Sequence, residues 1–222
     1  MEKKFILTDK FVINSFGIKL FQIKCTKSFK YAQKGDFGGY VEKEGNLDQE
    51  NDAWVFGNAR VFGNARVSSN ARVSGDAWVS DNARVSGDAW VSDNAWVSSN
   101  ALVSGYALVS GYAWVSGDAR VFGNARVSGD AWVSGNARVS GNAEIDNNNK
   151  HCGFDCFGSA NRHTHAYLTK ENKVEITCGC FRGSIEEFEK RVEETHSGTI
   201  YEKQYKAIID VIKIKFGLTD LI

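Results

Sequence analysis

The sequence predicts a mainly β protein: a triangular parallel β-helix over residues 41–146, closed at one end by a β-hairpin and at the other by a small α+β module. Three observations predict it. From Ala53 to Ile145 an Ala-x-Val unit returns every six residues, with sixteen aliphatic residues in register and no slip. The positions between units are dominated by Ser, Gly, Asp and Asn, the residues of tight corners. Proline is absent from all 222 residues, where average usage would place about eleven. Collagen-like and polyproline structures are thereby excluded.

The unit follows from strand geometry. In an extended segment residues i and i+2 share a face. Ala53 and Val55, and their fifteen successors, therefore point inward, and the residue between them points out. A small and a medium side chain per side fill a narrow prism, and each coil buries its inner face only against its neighbours. The three remaining residues turn the corner, where Gly and Asn tolerate positive φ. A six-residue period also excludes a heptad coiled coil.

The flanks divide the rest of the chain. Residues 1–40 form the N-terminal cap, with a hairpin over 5–25 around Asn14-Ser15-Phe16-Gly17. It is expected to cover the open first coil, whose bare edge would invite aggregation. Asn147-Asn148-Asn149-Lys150 reads as a linker, and 151–222 as the C-terminal α+β module. Within it, strands are expected at 163–168 and 173–178. Ser184 with Glu187 forms a capping box for a helix to about Glu194, stopped by Ser197-Gly198. A second helix over 201–216 places Tyr205, Ile208, Ile209, Ile212 and Phe216 on one face.

The hexad resembles the repeat of left-handed parallel β-helices known from bacterial acyltransferases. That resemblance implies three hexads per 18-residue coil and the left hand. Gly35-Asp36-Phe37-Gly38-Gly39-Tyr40-Val41, continuing to Asn51-Asp52-Ala53-Trp54-Val55, is similar to the entry segment of uncharacterised hexapeptide-repeat proteins of bacteria and tailed phages. Ile176-Thr177-Cys178-Gly179-Cys180-Phe181-Arg182-Gly183-Ser184, running into Glu187-Phe188, is similar to a C-terminal module attached to some of them. The resemblance implies a phage or mobile-element setting. In its sharpest form it implies an anti-CRISPR or other anti-defence inhibitor that occludes a host partner.

Three hexads per coil sort the outward residues into columns. One holds Trp54, Arg72, Trp90, Leu108, Arg126 and Glu144. A second holds Arg60, then Trp78, Trp96, Trp114 and Trp132 on consecutive coils. With coils about 4.8 Å apart, these four indoles span roughly 14 Å. So apolar a stripe reads as an interface with a second copy, in a dimer or trimer, or with a protein partner. Lateral stacking within the coil is the structural alternative, and base stacking a minor one. The third column holds Arg66, Arg84, Leu102, Arg120 and Arg138. Guanidinium planes bind carboxylates and phosphates in bidentate fashion, so this column is a candidate strip for an anion or an acidic partner. Corner aspartates such as Asp81 and Asp118 are the candidates to neutralise it.

Composition bounds the chemistry. Lys and Arg number 27, Asp and Glu 27, so net charge is zero. A general polyanion binder would show a basic excess, which leaves nucleic acid or nucleoprotein as a secondary possibility. No histidine lies between residues 1 and 150, and no insertion breaks the repeat. An acyltransferase of this fold needs a general base and a covering loop, so no catalytic residue and no cofactor are expected. Acyl transfer stays as the alternative, beside a purely structural self-assembling rod. Cys152, Cys156, Cys178 and Cys180 are weak zinc candidates, since only the first pair has an ordinary ligand spacing. The apolar run at the start is too short for a signal peptide, and no stretch suits a membrane span. The expectation is a cytoplasmic protein with reduced thiols.

Overall fold

The computed structural model describes residues 2–218. Strands β1 (Phe5–Ile13) and β2 (Lys19–Cys25) form the antiparallel hairpin, and β3 (Phe37–Val41) pairs antiparallel with β2. Sixteen two-residue strands follow at six-residue intervals, from β4 (Trp54–Val55) to β19 (Glu144–Ile145). All but the last three pair in parallel with the strand 18 residues on, Trp96 beside Trp114 and Val97 beside Val115. The result is a rod with three flat sides, one per outward column. The hairpin and β3 extend the tryptophan side, which becomes an eight-stranded sheet.

All sixteen alanines and the valine or isoleucine two residues after each face the axis, and none is more than 3% exposed. Coils are joined by backbone hydrogen bonds such as Trp96 N to Ala113 O at 2.9 Å and Ser98 N to Val115 O at 3.0 Å. At the corners the second residue takes positive φ: +69° at Gly75, +59° at Asp81, +60° at Asp93. A Cβ on Gly75 would lie 2.8 Å from the nitrogen of Asp93, so close stacking as well as conformation favours glycine there. Where aspartate stands instead, its carboxylate accepts from the next coil. Ser99 N donates to Asp81 at 2.9 Å and Gly111 N to Asp93 at 3.1 Å.

The repeat asparagines do not share the positive-φ role expected of them. They occupy the third corner position, and their amides bond along the rod. Asn64 donates to Asn82 at 3.3 Å, Asn82 to Asn100 at 3.2 Å, and Asn100 to Asp118 at 3.1 Å.

The first coil is incomplete, with Val41 beside Val61 and Leu47 beside Val67. The N-terminal segment covers it. Phe5, Ile23 and Cys25 join the core of the rod. Asn46, fully buried, donates to the carbonyls of Gly63 and Ala65 at 3.1 and 2.9 Å. Lys4 donates to the Ala53 carbonyl at 2.9 Å, and burial pulls its pKa down to about 8. Backbone groups that a further coil would have paired thus find side-chain partners.

At the other end a 3-10 turn, Asn148–Lys150, leads into a four-stranded antiparallel sheet: β20 (His151–Phe157), β21 (Arg162–Leu168), β22 (Val174–Cys178) and β23 (Phe181–Gly183). Two edge strands thus join the two that the sequence predicts. Cys156 has φ +64°, where the register of β20 shifts, and this bulge with Gly153 hides the strand pattern. One face of the sheet carries α1 (Ile185–His196) and α2 (Ile200–Lys215), packed through Phe188, Val192, Tyr205 and Ile209. The capping box at Ser184 is present, with Glu187 N donating to its hydroxyl at 3.3 Å. The other face sits on the last coil. Thr177 Oγ1 donates to the Arg138 carbonyl at 3.2 Å, and Tyr167 joins the rod core. No described helix is long and apolar enough to cross a membrane.

Candidate functional site

The register places Trp78, Trp96, Trp114 and Trp132 side by side on one face. The lower three stack in parallel, with centroids 5.1 Å apart and planes within 7°. Two indole N–H groups donate to buried serines of the preceding corner, Trp96 to Ser80 and Trp114 to Ser98, both at 3.1 Å. The upper end is roofed by Phe16 at the hairpin tip, 6.1 Å from Trp78 and 6.4 Å from Trp96. Trp132, at the lower end, is 52% exposed, while the other three are half-buried. The column is therefore largely dressed by its own chain and opens at Trp132. Phe16 carries no repeat signal; its position in a hairpin turn beside Gly17 is the one hint in the sequence.

An outward position does not leave Trp54 exposed. Its indole leaves the coil but is only 1% exposed, because Phe5 and Phe29 pack on it at 6.3 and 5.4 Å.

The arginine side is different. Arg66, Arg84 and Arg120 are exposed, and no repeat arginine approaches a carboxylate within 4.0 Å among the described residues. The neutralisation expected from Asp81 and Asp118 is not made. Asp81 accepts from Ser99 N and Asp118 from the Asn100 amide, both along the corner ladder. Arg66 and Arg84 lie in adjacent register with Leu102 next below. They line an open groove of about 690 Å³ together with Ser68 and Ser86, and two carboxylates, Glu44 and Asp48, line its N-terminal end.

Other arginines are already engaged. Arg60 lies over Trp78 at 5.2 Å and Arg72 over Trp90 at 4.5 Å, as cation–π pairs. Arg138 donates to the Gly179 carbonyl at 2.7 Å, so the fourth member of the strip pins the C-terminal module.

All four histidines lie in that module. His165 Nδ1 is 3.2 Å from the Arg138 carbonyl, which only accepts, so this nitrogen carries the proton. Its Nε2 then accepts from His151 Nδ1 at 3.1 Å. Burial holds His165 down to about 3, helped by its neighbour His151, and His151 down to about 4, helped by Lys215. His163 bonds Asp155 at 2.7 Å.

The cysteines do not come together. Cys178 is buried, Cys156 and Cys180 are exposed, and burial raises Cys152 to about 11. No group of three or more His, Cys, Asp or Glu side chains converges on a metal position among the described residues.

A family model described as the YdcK beta-solenoid repeat matches residues 65–81, 77–93, 113–129 and 119–135. Each match is about one coil long, and together they fall within the regular part of the rod. No curated protein matches the chain. The match and the fold agree on a repeat protein of the β-solenoid kind.

Proposed function

We infer that this protein is a non-enzymatic binding protein whose rigid rod presents its arginine side to an acidic protein surface. One observation carries the reading: three exposed arginines stand in fixed register without a carboxylate partner. The register fixes the backbone spacing of these arginines, and each free guanidinium can take a carboxylate in bidentate fashion, with the ordering of the side chains as the cost of binding. The neutral chain favours an acidic protein over nucleic acid, because sequence-independent phosphate binding rests on net positive charge.

Exposed charge is screened over about 10 Å at 0.1 M salt. Binding of a polyglutamate peptide should therefore weaken steeply as salt rises, mainly through slower association. Arg84→Glu with Arg120→Glu should abolish it, and alanine at both should only weaken it. A DNA duplex that binds more tightly than the peptide would move the reading to nucleic acid. Saturable acetyl-CoA binding that ignores the arginine changes would restore the acyltransferase alternative.

The finer reading is a phage-borne anti-defence protein, anti-CRISPR among its forms, acting in the host cytoplasm. It is supported by the resemblance of residues 35–55 to uncharacterised hexapeptide-repeat proteins of bacteria and tailed phages, and of residues 176–188 to a module attached to some of them. Capture of a host defence complex that is lost with the Arg84 and Arg120 changes would test it. A second copy on the tryptophan side is favoured by one observation, the exposed Trp132. Mass in solution before and after Trp132→Ser separates that dimer or trimer from a monomeric rod.

A further inference from the structure

The Cys178-Gly179-Cys180 turn is tied into the structure on two sides. Arg138 of the rod holds the Gly179 carbonyl. On the other side the Arg162 chain crosses the turn, where a Cβ on Gly179 would lie 2.7 Å from Arg162 Cδ. Gly179 also has φ +60°, so glycine both makes the turn and leaves room for the arginine.

Beyond this turn a cavity of about 260 Å³ opens between the sheet and α1. Its walls are apolar and aromatic. Phe181 and Phe188 lie 5.0 Å apart, and Tyr205 meets Phe188 edge-on at 5.6 Å. Two cations, Arg162 from β21 and Arg191 from α1, stand at the rim. No Asp or Glu lines the cavity, and neither arginine makes an ion pair among the described residues. Glu187 and Glu194 flank Arg191 in the adjoining depression without pairing to it.

We propose that this pocket binds a small aryl carboxylate, its ring among Phe188, Val192 and Tyr205 and its carboxylate between Arg162 and Arg191. The size fits: the cavity has the volume of about nine waters, suited to one ring with a short acid arm. An apolar chamber with a few convergent polar groups is the usual form of a small-ligand site. Thr195, His196, the Tyr205 hydroxyl and the thiols of Cys178 and Cys180 line it too, but the two full charges on its walls are the arginines, which selects an anionic head, and the aromatic walls select a flat body.

The test titrates phenylacetate, its neutral amide phenylacetamide, and inorganic phosphate into the whole chain, followed by protein NMR. Phenylacetate should saturate and move the signals of Phe188 and Tyr205. Phenylacetamide should bind at least tenfold more weakly, the usual weight of a charge-assisted hydrogen bond. Arg162→Gln or Arg191→Gln should each cost about tenfold, with the circular dichroism spectrum unchanged. Thr195→Trp, at the exposed rim, should block entry without touching the core. Absence of saturable shifts, equal binding of the amide, or equal binding of phosphate at the same residues would overturn the proposal. The Arg84→Glu and Arg120→Glu changes should leave phenylacetate binding intact, so this site and the rod face stand or fall separately.

Discussion

In the rod, one environment is repeated sixteen times: an Ala–Val side under backbone hydrogen bonds, with no ionisable group inside the repeat. In the C-terminal module no two positions are alike. A small core under two helices faces one way, and a polar seam of His151, His165, Tyr167 and Thr177 faces the last coil. At that seam Glu175 accepts from Tyr167 and from Arg182, the latter at 2.6 Å. The difference teaches where each region is vulnerable. The rod depends on volume and close approach, to which pH is indifferent. The module depends on neutral rings kept from water.

The largest expected effect breaks the rod. Val97→Asp places an unpaired charge among the fully buried side chains and should cost roughly 4 kcal/mol. The same change at Val211, 48% exposed on α2, should stay within about 0.5 kcal/mol. Denaturant unfolding of the pair checks the contrast, and equal midpoints would end it.

The next effect belongs to the module. Its two buried rings stay neutral when folded, with pKa values of about 3 and about 4, whereas the unfolded chain titrates histidine near 6.5. Below that pH the unfolded state binds protons that the native state excludes. Stability of the module therefore falls progressively as pH drops from about 6.5 toward about 4. All six tryptophans lie in the rod, between residues 54 and 132. Their emission should hold through this window while amide exchange in β21 and β22 accelerates. A single transition seen by both probes would erase the distinction.

A smaller effect separates close approach from conformation. Gly87 and Gly198 have nearly the same φ, +69° and +74°. A Cβ on Gly87 meets Gly105 N at 2.9 Å, and one on Gly198 meets nothing within 4 Å. Alanine should cost about 1 kcal/mol at Gly198 and about 2–3 kcal/mol at Gly87. Equal costs in thermal melts would mean that coil spacing gives way freely.

Smallest is the gradient along the indole stack. Trp96→Ala removes a half-buried ring that stacks on Trp114 and meets Trp78 edge-on, and should cost about 2 kcal/mol, against about 1 kcal/mol at the exposed Trp132. A reversed order would make Trp132 part of an interface that is already filled.

The sixteen-fold register, the inward Ala–Val pairs, the three outward columns and the Ser184 helix start were legible from the sequence alone. Each is a short-range consequence: a two-residue alternation, a three-residue corner, a cap bonded three residues on. The residues that face outward were legible too, but not what covers them. Phe16 over Trp96, Phe5 over Trp54 and Arg138 on Gly179 join segments 41 to 80 residues apart, and no local pattern encodes such a meeting. The same holds for the corner aspartates, which bond along the axis rather than to the arginines, because the next coil offers an unpaired N–H at closer range. The sequence by itself determined the rod and the chemistry of its faces. Only the tertiary structure decided which arginines stay unpaired and where the aryl pocket opens, because burial and ion pairing are settled by contacts between distant parts of the chain.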